Sequence, residues 1–279
     1  MSASLAQWLA LAQLRGVPRL DAQRLAAHQL GRTREWVIAH DDARLGARDA
    51  AALDALLLRR AAGTPLAYLV GRREFHGLDL VVSADVLVPR PETELLVDWA
   101  LERLAPMRAA DPTQVPDVVD LGTGSGAVAL AVAHAAPWVH MTATDASAAA
   151  LDVAGRNAMR LALPLECVAG NWWQPLAGRC FALALANPPY VAHADPHLQT
   201  LAHEPLQALA AGPDGLDALR CIVAGAPAHL APAAWLLLEH GFDQGDAVRR
   251  LLGAAGFQSI ETRHDLAGVP RCTGGRWPG

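Results

Sequence analysis

The sequence predicts an α/β protein: a mostly parallel sheet with helices on both faces, preceded by a small helical bundle and a β-hairpin linker. Three observations carry this. Short apolar runs alternate with helical runs from Asp117 onward, the order that builds a parallel sheet. The first of those runs ends in the glycine-rich turn Gly122-Thr-Gly-Ser-Gly126. Before Phe75 the apolar spacing is helical.

Taken in order, Leu5, Trp8, Leu9 and Ala12 recur at helical steps, as do Leu53, Leu56 and Leu57. Pro18 followed by Asp21 marks a helix start, and Gly31, Gly46 and Gly63 punctuate the bundle. From Phe75 to Val88 the pattern becomes alternating, with turn signals at Gly77-Leu-Asp79 and Ser83-Ala-Asp85. A helix over Glu92–Leu104 follows, then a proline-rich linker over Ala105–Pro116. Beyond it, strands are expected at Asp117–Leu121, His140–Thr144, Glu166–Ala169, Phe181–Ala186, Ala234–Glu239 and Phe257–His264. Helices are expected near Val128–Ala136, Ser147–Leu161, Leu216–Leu230 and Gly245–Ala255.

Composition narrows the functional class. The chain has 279 residues, 52% of them hydrophobic and 18% charged, so it can bury a large core. Every one of the 23 basic residues is arginine, and the net charge is -5. A strongly basic nucleic-acid face is not expected. No apolar run reaches the ~18 residues of a membrane span, and the N-terminus lacks the cationic start of a signal peptide. Cys167, Cys180, Cys221 and Cys272 form no CxxC and are expected as buried apolar residues in a reducing cytosol. His193, His197 and His203 lack metal-ligand spacing, so no metal is expected. Trp8, Trp36, Trp99 and Trp235 are expected in the core, and of adjacent Trp172 and Trp173 one should face in and one out.

Two motifs carry chemistry. In the first, a buried strand runs into Gly122, Thr123, Gly124, Ser125 and Gly126 and then into a helix. Glycines let a ligand approach the backbone, and the helix N-terminus favours an anion. Asp145 ends the next strand, where a carboxylate can accept hydrogen bonds from a ribose. Gly122-x-Gly124-x-x-Ala127 also satisfies a dinucleotide fingerprint. The crowding of three glycines after Asp120 more closely resembles the loop of S-adenosylmethionine (SAM) methyltransferases.

The second motif is Asn187-Pro188-Pro189-Tyr190, which stops the strand Phe181–Ala186 at the ligand-binding edge of such a sheet. A planar nitrogen has a delocalised lone pair and is a poor nucleophile. A site activates it by accepting both of its N–H hydrogens. The side-chain oxygen of Asn187 supplies one acceptor, a backbone carbonyl freed by the prolines the second, and Tyr190 a flat face for packing. Methyl transfer from a sulfonium disperses charge, so positioning can carry much of the rate. Adenine N6, cytosine N4, guanine N2 and a glutamine carboxamide all remain open as acceptors. Glu239-His240 reads as a sheet-edge structural pair, and Arg90, Glu92 and Glu94 read as helix caps, although resemblance to a known family pattern equally implies a wall of the site.

From about Pro65 to the C-terminus the sequence resembles the HemK/PrmC family of release factor glutamine methyltransferases. The resemblance rests on Pro65-Leu-Ala-Tyr68, Gly71-Arg-Arg-Glu-Phe75, Val88-Pro-Arg-Pro-Glu-Thr-Glu94, Asp120–Gly126 and Asn187–Tyr190. It continues through His203-Glu-Pro-Leu206, Gly212-Pro-Asp-Gly-Leu216 and Leu237-Leu-Glu-His-Gly241. It implies a class I, Rossmann-like SAM-dependent methyltransferase domain with a seven-stranded sheet over residues 90–279. A hairpin linker over 74–89 and a substrate-recognition bundle over 1–73 would precede it. It also implies SAM as cofactor and, in the cytoplasm, methylation at N5 of the glutamine in the Gly-Gly-Gln motif of class 1 peptide chain release factors. Gly122 to Gly126, Asp145, Trp172 and Asn187 would bind SAM, and Asn187, Pro188, Pro189 and Tyr190 would hold the glutamine and perform the chemistry. Two departures are Asn171, where many relatives carry an acid, and Pro270 with Cys272 in the last segment, expected to weaken the final strand. The alternatives are a nucleic-acid base methyltransferase acting on adenine N6 or guanine N2, and a SAM-binding module without catalysis.

Overall fold

The computed structural model describes residues 4–279, and they form two compact units that meet in sequence at Arg72 and Arg73.

The first unit is helical: α1 (Leu5–Leu14), α2 (Arg19–Leu30), α3 (Arg34–Ala39), α4 (Ala47–Ala61) and α5 (Leu66–Val70). Ser4 opens α1 through a capping box with Gln7, and Pro18 immediately precedes α2, where a missing N–H costs nothing. Leu5, Trp8, Leu25, Leu53 and Leu57 meet in one apolar cluster. Trp8 also donates its indole N–H to Asp54 at 3.2 Å. Trp36, expected in the core, is only half-buried. It stacks on His40 at 4.6 Å, one turn away, where the end of a six-residue helix cannot cover a large ring.

The second unit begins with a hairpin, β1 (Arg72–Phe75) and β2 (Leu78–Val81). His76 and Gly77, at φ 48° and 77°, make the left-handed turn that a two-residue hairpin needs. The alternation seen in sequence beyond Val81 is not strand; residues 82–90 are an irregular segment. Helix α6 (Glu94–Ala110) runs six residues past its expected end at Leu104, through Pro106. The expected linker is therefore partly helix. Pro106 is tolerated because packing continues beyond it: Met107 lies against the core, and the Arg108 guanidinium covers the Trp138 ring at 5.5 Å.

Strands and helices then alternate: β3 (Asp117–Leu121), α7 (Ala127–Ala135), β4 (His140–Asp145), α8 (Ala148–Leu161), β5 (Glu166–Ala169) and β6 (Phe181–Ala186). Next come α9 (His197–Thr200), α10 (Asp217–Gly225), β7 (Leu230–Glu239), α11 (Gly245–Ala254), β8 (Gln258–His264) and β9 (Pro270–Arg276). The seven-stranded sheet has the order β5-β4-β3-β6-β7-β9-β8, parallel except for β9, which pairs antiparallel with both neighbours. One apolar cluster joins α6, α7 and the hairpin on one face; a second joins α10 and α11 on the other. The final strand is well embedded between β7 and β8: Cys272 is fully buried, and Pro270 sits at the strand's first position, where its missing N–H is tolerated. No described helix is long and apolar enough to cross a membrane.

Candidate active site

Strand register builds the site. Leu121 pairs with Thr144 on one side and Ala186 on the other, while Asp145 pairs with Ala169 and Ala186 with Leu238. Gly122, Asp145, Gly170, Asn187 and Glu239 consequently gather at one carboxyl edge. Strand order reverses there, between β3 and β6, the place where open α/β sheets bind ligands.

A cavity of about 350 Å³ opens at this edge, within the ~300–1,000 Å³ range of small-molecule sites. Its wall includes Gly122, Thr123, Gly124, Ser125, Asp145, Trp172, Asn187 and Pro189. Gly126 lies outside that wall, capping the start of α7, where an added Cβ would stand 3.2 Å from the Cβ of Ala154. Pro188 is buried, and Tyr190 is half-buried with its hydroxyl donating to Glu239 at 3.4 Å; neither lines the cavity.

The glycine loop is braced from below. The N–H groups of Gly122 and Thr123 donate to the Thr144 carbonyl at 2.8 and 2.9 Å. Gly124 N–H donates to Asp145 Oδ2 at 2.9 Å, and Ser147 N–H to Asp145 Oδ1 at 2.8 Å. Each Asp145 oxygen keeps a lone pair for a ligand. The Trp172 ring covers Gly122 so closely that a Cβ there would lie 2.9 Å from it. A Cβ on Gly124, at φ 56°, would meet nothing within 4 Å and would stand in open cavity. Trp173 faces the core instead, donating to the Ile222 carbonyl at 2.8 Å and stacking on His229.

Two buried acids flank the site. Asp120, in the cavity wall, accepts the Thr123 hydroxyl at 2.6 Å; burial pushes its pKa up to about 6. Burial likewise pushes Glu239 up to about 7. His240 is buried, bonded to the Thr273 hydroxyl at 2.8 Å, and held below its ordinary range by desolvation. Among the described residues, Arg90, Glu92 and Glu94 do not line the cavity, and no side-chain hydrogen bond caps the start of α6. Pro89 and Thr93 line the cavity, Glu94 accepts the His76 N–H at 2.9 Å, and Arg90 pairs with buried Glu204.

Three residues carry roles that the sequence did not assign to them. Thr93 accepts the Asn187 side-chain N–H at 3.1 Å. Glu204 takes the Val88 N–H at 3.0 Å, tying the cavity wall at Pro205, Gln207 and Ala208 to the wall at Asp85–Leu87. Asn157, fully buried, exchanges hydrogen bonds with Val81 N–H and carbonyl at 2.7 and 2.9 Å and donates to the Ser125 carbonyl at 2.9 Å. Asn157 had a signal: it is the polar member of the buried stripe Ala150, Val153, Ala154, Asn157, Ala158. Cys167, Cys180 and Cys221 are exposed, against expectation, and only Cys272 is buried. Cys167 stands on the edge strand β5, Cys180 precedes the first residue of the central strand β6, and Cys221 lies on the outward face of amphipathic α10. Among the described residues no His, Cys, Asp and Glu group could hold a metal.

Comparison with known proteins sets this geometry in a family. Residues 5–71 match the family model of the PrmC N-terminal domain, and residues 98–212 that of the methyltransferase small domain. A release factor glutamine methyltransferase of Xylella fastidiosa is 50% identical over 94% of each chain. One from Bordetella pertussis is 48% identical over 93% of this chain and 95% of its own. That of Escherichia coli is 41% identical over 97% and 98%. Among solved structures, a methyltransferase from Pyrococcus furiosus aligns with TM-score 0.53 at 17% identity, covering 81% of this chain and 98% of that one. The T. thermophilus 16S rRNA N2 G1207 methyltransferase RsmC, in complex with AdoMet and guanosine, aligns with TM-score 0.52 at 17% identity, covering 74% and 49%. These two share the fold alone, whereas the curated relatives match from end to end: the chain belongs to the family of release factor glutamine methyltransferases.

Proposed function

We propose that the protein methylates N5 of the glutamine in the Gly-Gly-Gln motif of class 1 peptide chain release factors, in the cytoplasm, with SAM bound in the cavity at the sheet edge. The observation that carries this is the register that brings the glycine loop, Asp145 and Asn187 to one wall. The residues present suit the donor. Gly124 leaves open space for close approach, and Asp145 has lone pairs for the ribose hydroxyls. Trp172 and Asn171 line the end suited to adenine, where the Asn171 carboxamide can hydrogen-bond an exocyclic amine. Asp120 and Asp145 make the wall acidic, which favours a ligand that carries sulfonium and ammonium charge.

SAM supplies an electrophilic methyl group. The chain supplies orientation. Asn187 Oδ1 accepts one N–H of the glutamine amide and the carbonyl of Pro188 the other, which holds the nitrogen in line at ~3–3.5 Å. Pro189 walls the slot, and the ring of Tyr190 packs beside it with its hydroxyl anchored on Glu239. The methylated nitrogen is strongly acidic and releases its proton to water.

The N-terminal bundle selects the release factor. Its surface leaves Leu14 86% exposed and Leu20, Ile38 and Leu58 each more than two-fifths exposed, apolar groups open to a protein partner. The test is tritium-methyl transfer from labelled SAM to purified release factor. Label is expected on the wild-type factor and lost with Gln→Ala in its Gly-Gly-Gln motif. Equal labelling of both, or labelling of RNA or DNA instead, would overturn the assignment.

A further inference from the structure

We propose that Gln244 is a positioning residue for methyl transfer: from the start of α11 its carboxamide holds the Tyr190 carbonyl, and so fixes the direction in which the turn Asn187-Pro188-Pro189-Tyr190 presents the Pro188 carbonyl to the target amide. The proposal rests on the glutamine slot assigned above and deepens it.

The turn needs support from outside. Pro188 and Pro189 have no N–H, and a proline ring fixes φ but leaves ψ to its surroundings. The peptide plane that carries the Pro188 carbonyl can therefore swivel unless the chain is held on both sides of it. Upstream, Ala186 is held in the ladder between Leu121 and Leu238. Downstream, the peptide unit joining Tyr190 to Val191 is held at both of its edges. Its N–H donates to the Leu209 carbonyl at 2.9 Å, and its carbonyl accepts from Gln244 Nε2 at 3.0 Å. In a trans peptide these two groups point in opposite directions. With the Leu209 bond alone the plane could turn about that bond; with Gln244 as well it cannot.

The Gln244 amide has one orientation open to it. Its Oε1 accepts the Gly241 N–H at 2.9 Å, a group that only donates. Nε2 is therefore turned to the Tyr190 carbonyl, a group that only accepts, with the Asp214 carbonyl at 3.4 Å. Gln244 stands at the N-cap of α11, where a short polar side chain ordinarily bonds to the first N–H groups of its own helix. Its longer side chain reaches instead to a residue 54 positions earlier in the sequence. Gly215 makes room for this contact. At φ 74°, a Cβ on it would collide with the Tyr190 carbonyl oxygen and lie 2.8 Å from Gln244 Nε2. Three loops at the carboxyl edge, those carrying Tyr190, Asp214 and Gly241, thus converge on one carboxamide. Gln244 lies outside the cavity wall, so its effect falls on the amide slot and not on the methyl donor.

The test is single-turnover methyl transfer at saturating SAM and release factor, paired with calorimetric titration of SAM. The proteins are wild type, Gln244→Met, Gln244→Glu and Asn187→Ala. Gln244→Met keeps the length of the side chain and removes both hydrogen bonds. Gln244→Glu keeps an acceptor for the Gly241 N–H but sets a carboxylate oxygen against the Tyr190 carbonyl. A reacting atom displaced by about 1 Å can cost ~10²-fold in rate. Both Gln244 variants are therefore expected to lose at least tenfold in rate while their SAM Kd stays within threefold of wild type. A merely structural role would lower Tm and leave the rate of the folded enzyme unchanged. If Asn187→Ala is severely impaired while the Gln244 variants lose less than tenfold, or lose SAM affinity as much as rate, the role of Gln244 is refuted and the slot stands. If Asn187→Ala is itself unimpaired, the slot is wrong. Should one Gln244 variant fail to fold, the other decides.

Discussion

Gly124 and Gly126 stand in one loop with different surroundings. A Cβ on Gly126 would press on Leu130 and Ala154, so this glycine serves the packing of α7 on α8. A Cβ on Gly124 would enter open cavity at a left-handed φ. Gly124→Val is therefore expected to weaken SAM binding at least tenfold, about 1.4 kcal/mol, with the fold retained. Gly124→Ala carries the same backbone strain with less bulk and should lose less. Calorimetric titration of SAM reads both, and wild-type affinity in Gly124→Val would put the ligand elsewhere. At this scale the sequence was a partial guide. Asp145 and Asn187 were legible because each ends a strand with a polar group at the ligand edge. Thr93 was not, because its significance lies in an Asn187 contact made across the fold. The exposure of Cys167, Cys180 and Cys221 was not either, since residue type alone does not say which positions on an edge strand, before a strand or on a surface helix are covered.

Helix α8 shows how one element serves the site from outside it. Its apolar stripe faces the sheet, and Asn157 within the stripe joins the hairpin to the glycine loop through three hydrogen bonds. Asn157→Leu keeps the branched outline but leaves the Val81 N–H and two carbonyls without these partners. The expected loss is on the order of 3 kcal/mol, read as a lowered urea midpoint, with weaker SAM binding because the loop loses its support. A loss under about 1 kcal/mol would show that water or rearrangement replaces these bonds. Among the elements, β3, β4 and β6 were legible to within a residue, because each short strand-like run stops at Gly122, Asp145 or Asn187. Helix α6 was cut short by giving Pro106 the weight of a stop signal. The packing of Met107 and the Arg108–Trp138 contact outweigh one missing hydrogen bond. Strand β7 begins at Leu230, earlier than expected, because Ala233 takes a left-handed φ of 69° that carries the chain past Pro232 into the ladder.

At the scale of the whole molecule, the chain divides at Arg72, with the hairpin on the methyltransferase side. Every wall residue of the cavity belongs to the second unit. A chain beginning at Gly71 is therefore expected to keep its SAM affinity within threefold and to lose most of its kcat/KM on intact release factor. Unchanged kcat/KM would mean that the bundle does not select the substrate. The division was legible as a change in apolar period near Phe75, whereas the fit of the bundle to its partner depends on surface shape that period does not encode. The central claim is that Asn187 presents the substrate nitrogen to the methyl group, and single-turnover methyl transfer by Asn187→Ala, at saturating SAM and release factor, tests it most directly. The alanine leaves one amide N–H unpaired and frees the nitrogen to turn off line, so the rate is expected to fall about 10²–10³-fold, as when another preorganised hydrogen-bonding group is removed. A rate within threefold of wild type would contradict the claim and remove the chemistry from Asn187-Pro188-Pro189-Tyr190 altogether.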